Sequence, residues 1–147
     1  MKNKILIGRK DVADFPELEL ENIDVKIDTG AFTSSIHCYH IEELEQNGEK
    51  VIQFQLLDPS HEQYNDKVFV FKNFKLKSIK SSTGHAESRY IIKTNITLFG
   101  KFYPIELSLS ERGEMKYPVL LGRKLLRKNF IVDVSKKNLS YDGIKIQ

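Results

Sequence analysis

Short runs of apolar and β-branched residues, each closed by a polar or glycine-containing turn, recur along this chain at a spacing of roughly ten residues. In residues 24–28, Val25 and Ile27 alternate with polar neighbours, the period of two that is typical of a strand with one buried face. The other strand-like runs cover residues 4–7, 51–57, 68–76, 78–80, 88–93, 94–98, 102–109, 131–134 and 139–146. This spacing predicts an all-β barrel or sandwich.

Two of the turns predict β-hairpins, and helix signals are few. Residues 81–84, Ser-Ser-Thr-Gly, separate two strand-like runs, and so do residues 99–101, Phe-Gly-Lys. Short helices are expected only at residues 39–46, which end at an Asn-Gly pair, and at residues 124–129.

The length of 147 residues predicts a single domain covering residues 1–147, large enough to bury a hydrophobic core. Cys38 is the only cysteine, so an intrachain disulfide is impossible, which suits a reducing compartment. The apolar run at residues 4–7 is too short for a signal peptide, and no window approaches the roughly 20 apolar residues of a membrane span. We therefore expect a cytoplasmic protein.

The distribution of charge narrows the choice of partners. The chain carries 23 basic and 20 acidic residues, a net charge of +3, and the basic residues are spread widely, with local concentrations at 72–80 and 123–128. A dedicated nucleic-acid binder has a denser basic stripe, so neither nucleic acid nor a membrane is expected as a partner. The mild positive excess is compatible with an acidic substrate or simply with solubility.

The triplet Asp28-Thr29-Gly30 follows a predicted buried strand. Gly30 permits a sharp turn, and the Thr29 hydroxyl can donate a hydrogen bond to a nearby carboxylate or backbone oxygen. A carboxylate that is aimed and partly desolvated in this way can act as a general base. Asp and Gly are also ordinary turn residues, so the triplet alone leaves a catalytic loop and a simple turn open.

The order of three separated motifs resembles a retropepsin-like aspartic peptidase subunit. Residues 28–31, Asp-Thr-Gly-Ala, resemble the loop that carries the catalytic aspartate, and residues 81–86 resemble the tip of a flap hairpin. Residues 120–123, Leu-Leu-Gly-Arg, resemble the element that runs beside that loop into a short helix. The resemblance implies a closed acid-protease-like barrel with one or two short helices.

Longer stretches are similar to one branch of that class. The string VKIDTGAFTSSIH, the segment at residues 81–126 and the string IGRKDVADFPEL resemble a bacterial and archaeal family called RimB-like, also named ATP-dependent zinc proteases. That family is associated with RimK-type ATP-grasp glutamate ligases. The chain departs from it at Phe32, where a basic residue is expected, and at Cys38-Tyr39.

For this chain the resemblance implies a homodimeric aspartic peptidase. Such enzymes share one proton between two carboxylates, and the sequence holds no second Asp-Ser/Thr-Gly, so Asp28 of each subunit would meet at a two-fold axis. Thr29 would brace the two loops, and Gly30 would allow their close approach. The substrate implied is an acidic peptide such as a glutamate tail. The residues implied in binding it are Lys26, Ala31, Gly84, His85, Arg89 and Arg123.

The residues do not support a zinc peptidase of the usual kind, because the sequence contains neither a His-Glu-x-x-His string nor a phosphate-binding glycine loop for ATP. His37, Cys38 and His40 are chemically competent zinc ligands, with Asp28 or His85 as a distant fourth, but their spacing is poor. We expect His37 to be packed and His40 to face solvent, with no metal or cofactor.

Two alternatives to the aspartic peptidase stay open at this point. One is a metal-dependent hydrolase, as the second family name suggests. The other is a non-catalytic module that holds acidic peptides in the same cleft. Cys38 is a weaker candidate for a nucleophile, because no orienting third group is visible beside the two histidines.

Overall fold

The structure is a computed structural model that describes residues 3–80, 84–111 and 116–146. Strands dominate these ranges, as the sequence predicts. They are β1 (Ile5–Ile7), β2 (Lys10–Phe15), β3 (Leu20–Ile27), β4 (Ser34–Gln46), β5 (Glu49–Leu56), β6 (Val68–Phe71), β7 (Phe74–Lys80), β8 (Ala86–Leu98), β9 (Lys101–Ser110), β10 (Val119–Leu121) and β11 (Phe130–Val132). The helical elements are a 3₁₀ turn at Pro16–Leu18, α1 (Arg123–Asn129) and α2 (Leu139–Ile146).

A ring of strands closes through β10. Going round the ring, β3 pairs with β2, β2 with β8, β8 with β9 and β9 with β4. The short strand β10 then completes the circuit, because it runs parallel to β3 and antiparallel to β4. The predicted closed, acid-protease-like arrangement is therefore confirmed as a ring of strands, with β10 inserted between two strands that are consecutive in the chain.

Three further strands extend from the ring. The outer half of β4 forms a hairpin with β5, and β5 pairs in turn with β6. The strand β7 pairs along β8, and β1 forms a separate two-stranded parallel sheet with β11.

The interior of the ring is filled by the side chains that alternate inward. On β3, Ile23, Val25 and Ile27 are buried, whereas Asp24 and Lys26 are exposed. This is the alternation that the sequence predicts. Burial of each such aliphatic side chain contributes about 1.5–3 kcal/mol to folding. The core therefore holds the end of β3, and with it Asp28, in a defined position.

The helix predicted at residues 39–46 is wrong, because these residues continue β4. The Asn47-Gly48 pair does not end a helix. Both residues have positive φ, 52° and 79°. Two successive positive φ angles form the turn that joins two antiparallel strands with the natural right-handed twist, so the pair closes the hairpin between β4 and β5.

The strand predicted at residues 139–146 is also wrong, because these residues form α2. The buried carboxylate of Asp11 accepts hydrogen bonds from the backbone amides of Ser140 and Tyr141, at 2.9 and 3.1 Å. These amides belong to the first turn of the helix, where backbone donors have no partner within the helix. The side chain of Asp11, on the distant strand β2, therefore caps the N-terminus of α2.

Smaller differences concern the edges of strands. The predicted run at residues 68–76 is interrupted at Lys72-Asn73 and forms β6 and β7, and β2 was not predicted.

The helix predicted at residues 124–129 is confirmed as α1, and both predicted hairpins are confirmed as β7–β8 and β8–β9. Residues 81–83 of the first hairpin turn lie outside the described residues. Neither helix in the described ranges is long and apolar enough to cross a membrane.

Candidate active site

The Asp28 loop is held by the inserted strand β10. The backbone amide of Asp28 donates to the carbonyl oxygen of Leu121 at 2.8 Å, which ties the first residue of the loop to the last residue of β10. Within the loop, the Gly30 amide donates to Oδ1 of Asp28 at 3.1 Å, and the Ala31 amide donates to the Asp28 carbonyl oxygen at 3.2 Å. One carboxylate oxygen of Asp28 is therefore oriented by its own loop, and Oδ2 has no recorded partner among the described residues.

The segment that follows β10 closes over the other side of the loop. The backbone amide of Arg123 donates to the Ala31 carbonyl oxygen at 2.8 Å, and Nη1 of Arg123 donates to the Thr29 carbonyl oxygen at 2.8 Å. The Gly122 amide donates to Oγ of Ser34 at 3.0 Å. The loop is thus fixed by hydrogen bonds from a segment nearly a hundred residues further along the chain.

Gly122 is required by a close backbone approach. A Cβ atom placed on Gly122 would lie 2.6 Å from the carbonyl oxygen of Phe32 and 2.9 Å from that of Ala31. Such distances are well inside van der Waals contact, so a side chain at this position would push the two segments apart. The glycine of the Leu-Leu-Gly-Arg motif therefore sets how near the helix α1 comes to the Asp28 loop.

Phe32 stands where the resemblance led us to expect a basic residue. Its partly exposed ring lies near two guanidinium groups, with the Cζ atoms of Arg123 and Arg127 at 5.9 and 5.6 Å from the ring centroid. Cations at this distance from an aromatic face are attracted to it. The aromatic side chain thus positions two basic residues beside the loop.

The apex of the loop is open to solvent. Asp28 is half-buried, and Thr29 and Gly30 are exposed. The structure therefore presents one aimed carboxylate at the surface, supported from below by β10 and the core. The prediction that Arg123 binds substrate is untested; the contact seen here is a hydrogen bond that braces the loop.

Ala31 belongs to the loop itself, whereas the four other residues predicted to bind substrate make none of the side-chain contacts described for it. Lys26, Gly84 and His85 are exposed, and Nη2 of Arg89 pairs with Oε2 of Glu87 at 2.9 Å. Among the described residues, no recorded hydrogen bond or ion pair links these side chains to residues 28–31. Their role in substrate binding stays a prediction.

His37 is buried in a polar pair. Its Nε2 lies 3.0 Å from Oδ2 of Asp58, and the two Ser60 hydrogen bonds to Asp58, followed by His37, hold the pKa of that carboxyl below its usual range. His40 is exposed and stacks edge-on against Tyr39. The expected packing of His37 and exposure of His40 are therefore confirmed.

Cys38 is fully buried, and burial raises the pKa of its thiol well above the usual range. A thiol in this environment is neutral and a poor nucleophile or metal ligand. Within the described part of the chain, no three His, Cys, Asp or Glu side chains are grouped as metal ligands.

Sequence reasoning located the loop and its supporting motif but missed Ser34 and the carbonyl groups that brace them. A signal existed, since hydroxyl residues follow the loop directly at positions 33–35. The choice of Ser34 as the hydrogen-bond acceptor depends on where β10 lies in space, which the local sequence does not state.

A closed ring of strands, with one Asp-Thr-Gly loop braced by an inserted strand, defines an aspartic-protease-like fold of the retropepsin class. The chain belongs to the RimB-like family. Residues 6–142 match this family, whose description is retropepsin-like aspartic endopeptidase RimB.

Several curated relatives carry a different name. A probable alpha-L-glutamate ligase of Shewanella pealeana is 36% identical over 137 residues, which cover 90% of this chain and 29% of the relative. A probable alpha-L-glutamate ligase of Desulfotalea psychrophila is 34% identical over 134 residues, which cover 88% and 28%. This chain therefore spans less than a third of the length of these relatives.

A solved structure confirms the fold. The crystal structure of Lpg0085, a Legionella pneumophila protein of unknown function (DUF785), superposes with a TM-score of 0.74. The two chains are 25% identical, and the match covers 94% of this chain and 99% of that one.

Proposed function

We propose that this chain is one subunit of a homodimeric aspartic peptidase that cleaves acidic, glutamate-rich peptides in the cytoplasm. The carrying observation is the Asp28 loop, whose carboxylate is aimed by the Gly30 amide and whose backbone is tied to β10 and Arg123. Fixing the backbone of a loop in one conformation loses conformational entropy. The hydrogen bonds offset this loss, and their result is one half-buried carboxylate held in a defined position at the surface.

The single loop points to a two-subunit enzyme. The sequence contains one Asp-Thr-Gly, and the exposed Thr29 and Gly30 leave the apex of the loop accessible to a second copy. Two carboxylates brought close together cannot both be ionised, so the pair shares a proton and titrates as a unit.

Such a pair can hydrolyse a peptide bond without a cofactor. The ionised Asp28 removes a proton from a water molecule while the water oxygen attacks the peptide carbonyl carbon. The protonated partner's Asp28 donates its proton to the carbonyl oxygen, which becomes a hydroxyl of the tetrahedral intermediate. Collapse of that intermediate breaks the C–N bond. The first Asp28, now protonated, donates its proton to the leaving amine, and the partner's Asp28, now ionised, accepts a hydroxyl proton as the carbonyl re-forms.

The acidic substrate is supported by charge and by the relatives. Arg123 and Arg127 lie on α1 beside the loop, and Lys26 lies on β3, the strand that leads into it. Arginine binds carboxylates in a bidentate manner. The relatives named as glutamate ligases carry a segment similar to this chain. A peptidase for the product of a glutamate ligase would meet the same acidic chains.

The decisive experiment follows cleavage of an internally quenched peptide that ends in several glutamates. Asp28→Asn should abolish cleavage, because amides cannot share the catalytic proton. Asp24→Asn is the matched control, since Asp24 is an exposed carboxylate on the same strand β3. It should retain wild-type activity, and both variants should unfold at the wild-type temperature.

Cleavage retained by the Asp28→Asn variant would contradict the proposal. So would a wild-type protein that stays monomeric by light scattering at concentrations where it is fully active. Loss of activity in both variants would point to a general effect of charge on β3.

A non-catalytic binder of acidic peptides is the second candidate. It is favoured by the relatives in which a segment like this one makes up less than a third of a longer protein named as a ligase. It predicts that wild-type and Asp28→Asn proteins bind the peptide with equal affinity and that neither cleaves it.

A further inference from the structure

A groove of about 600 Å³ runs between α1 and the first half of β9. Its walls include Ile5 of β1 and Thr94 of β8 in addition to those two elements. A groove of this volume can hold a peptide segment of several residues. Residues 28–31 are not among those that line the groove, so the groove is separate from the Asp28 loop.

The groove concentrates the positive charge of the protein. Its basic lining residues are Lys93, Lys101, Lys124, Arg127 and Lys128, and Glu106 is the only acidic one among the described residues. The whole chain has 23 basic and 20 acidic residues. Outside the groove the acidic residues therefore slightly outnumber the basic ones, and the net positive charge of the chain is localised here.

Glu106 shows how the groove holds a carboxylate. Its Oε1 lies 2.8 Å from Nζ of Lys75, and its Oε2 forms an ion pair with Nζ of Lys124. Together Lys124 and then Lys75 lower the pKa of Glu106 to about 2. Among the described residues, Lys93, Lys101, Arg127 and Lys128 form no ion pair with an acidic side chain of the chain. These four cations can therefore pair with carboxylates of a ligand.

The groove follows an open strand edge. Among the described pairings, β4 contacts β9 only at Leu107–Ser110, so residues 101–106 have a neighbouring strand on one side alone, at β8. Pro104 lies on this edge and has no amide hydrogen. An edge that carries proline and lysine is a poor template for adding a strand, so recognition here depends on side-chain charge.

Two further features suit an acidic peptide. Thr94 lines the groove, is buried, and its Oγ1 has no hydrogen-bond partner among the described residues. The ring of Phe102 lines the same groove and is 71% exposed. A glutamate side chain has both a carboxylate for the cations and methylene groups that can pack on such a ring.

We propose that this groove is a second binding site, distinct from Asp28, that holds a carboxylate-rich segment of a peptide. The carboxylates pair with the lining lysines and Arg127, and the methylene groups pack on Phe102. A protein that binds nucleic acid adds a longer basic stripe and several stacking aromatics; here the cations are confined to one groove with one exposed ring.

Arg127 connects the groove to the candidate active site. It also lines a smaller pocket of about 250 Å³, whose wall includes Thr29, Phe32 and Arg123. A peptide held by its acidic segment in the groove can thus extend past Arg127 toward the Asp28 loop. This role in substrate capture rests on the proposed function, whereas binding of the acidic segment itself does not.

The test measures binding of a fluorescein-labelled oligoglutamate peptide by fluorescence anisotropy, with Asp28→Asn as the background so that cleavage cannot interfere. The double variant Lys101→Glu/Lys128→Glu reverses two exposed charges in the groove. Lys72→Glu/Lys137→Glu is the matched control, since it makes the same change of net charge at two exposed lysines outside it.

We expect the groove variant to raise the Kd by about tenfold or more, the control variant to raise it less than about twofold, and added salt to weaken binding. Equal effects of the two double variants would overturn the groove. A labelled oligouridylate of equal charge that binds as tightly as the peptide would overturn the assignment of an acidic peptide.

Cleavage assays with intact Asp28 separate this proposal from the proposed function. If the groove variant binds and cleaves like the control, the groove proposal is wrong and the peptidase can stand. If the groove variant loses peptide binding and the wild-type and control proteins do not cleave the peptide, the peptidase proposal is wrong and the groove proposal is supported.

Discussion

The backbone of Gly122 packs against the carbonyl oxygen of Phe32 so closely that a Cβ atom on Gly122 would lie 2.6 Å from it. This contact joins the start of α1 to the end of the Asp28 loop. Because β10 and α1 are continuous at Gly122, the same contact also positions the strand that accepts the Asp28 amide.

Gly122→Ala should therefore destabilise the protein by about 1–3 kcal/mol, through overpacking at a site where the neighbours are backbone atoms. Peptidase activity should fall more than stability alone explains, because the displaced β10 no longer holds Asp28. Urea denaturation and peptide cleavage measure the two effects.

The control for this substitution is Gly143→Ala. Gly143 lies in α2 with no atom near the position of an added Cβ, and alanine favours a helix. We expect unchanged or slightly higher stability and unchanged activity. If Gly122→Ala behaves like Gly143→Ala, the close approach does not position the loop.

Mixing subunits tests whether two Asp28 side chains act together. When equal amounts of wild-type and Asp28→Asn protein exchange subunits freely, only about a quarter of the dimers carry two aspartates. Activity per wild-type subunit should fall to about half of its unmixed value. Asp24→Asn protein mixed in the same way should leave the activity per total subunit at the wild-type value, because every dimer still carries two Asp28 side chains. Activity that stays proportional to the wild-type protein after exchange would mean that each Asp28 works alone.

The Glu106 ion pairs make stability depend on pH. The pKa of Glu106 is lowered from 4.5 to about 2 by Lys124 and Lys75. A carboxyl with a lowered pKa in the folded state stabilises the protein above its unfolded-state pKa, and this contribution is lost as the pH falls from about 4.5 toward 2.

Glu106→Gln should accordingly lower the urea midpoint at pH 7, and the difference from wild type should narrow as the pH falls below about 4.5. Glu62→Gln, at an exposed position with no recorded ion pair among the described residues, is the control and should show no such dependence. A difference that is constant with pH would show that the ion pairs do not carry the effect.

Asp11 should be needed for α2. Its buried carboxylate accepts the amides of Val12, Ser140 and Tyr141. Asp11→Ala leaves buried donors unsatisfied, which costs about 1–3 kcal/mol. Hydrogen exchange should show faster exchange at the amides of Ser140 and Tyr141. Asp24→Ala, at an exposed position on the neighbouring strand, should change neither the free energy of unfolding nor the exchange rates of these amides. Equal effects of Asp11→Ala and Asp24→Ala would show that Asp11 does not cap α2.

Local patterns carried much of the fold and the centre of the site. The alternation in β3 predicted its buried face, and Phe99-Gly100-Lys101 predicted a hairpin because it separates two strand-like runs. In the structure Phe99 and Gly100 both have positive φ, as a tight hairpin turn requires. Asp28 and the Leu-Leu-Gly-Arg motif could be recognised for the same reason, since each is a short string whose residue types are tied to one backbone shape.

The sequence by itself thus determined the strands β3, β8 and β9 of the ring, the aspartate loop and the segment that supports it, whereas β2 and β4 were not predicted as strands. Only the tertiary structure decided that residues 139–146 are helical, because the capping carboxylate of Asp11 comes from 129 residues earlier in the chain. It also decided which cations share the groove, since Lys101 and Lys128 lie on different elements and come to the same groove only after β9 and α1 pack together. Contacts between distant segments leave no periodicity in the sequence, and this is the physical reason that they become visible only in the folded chain.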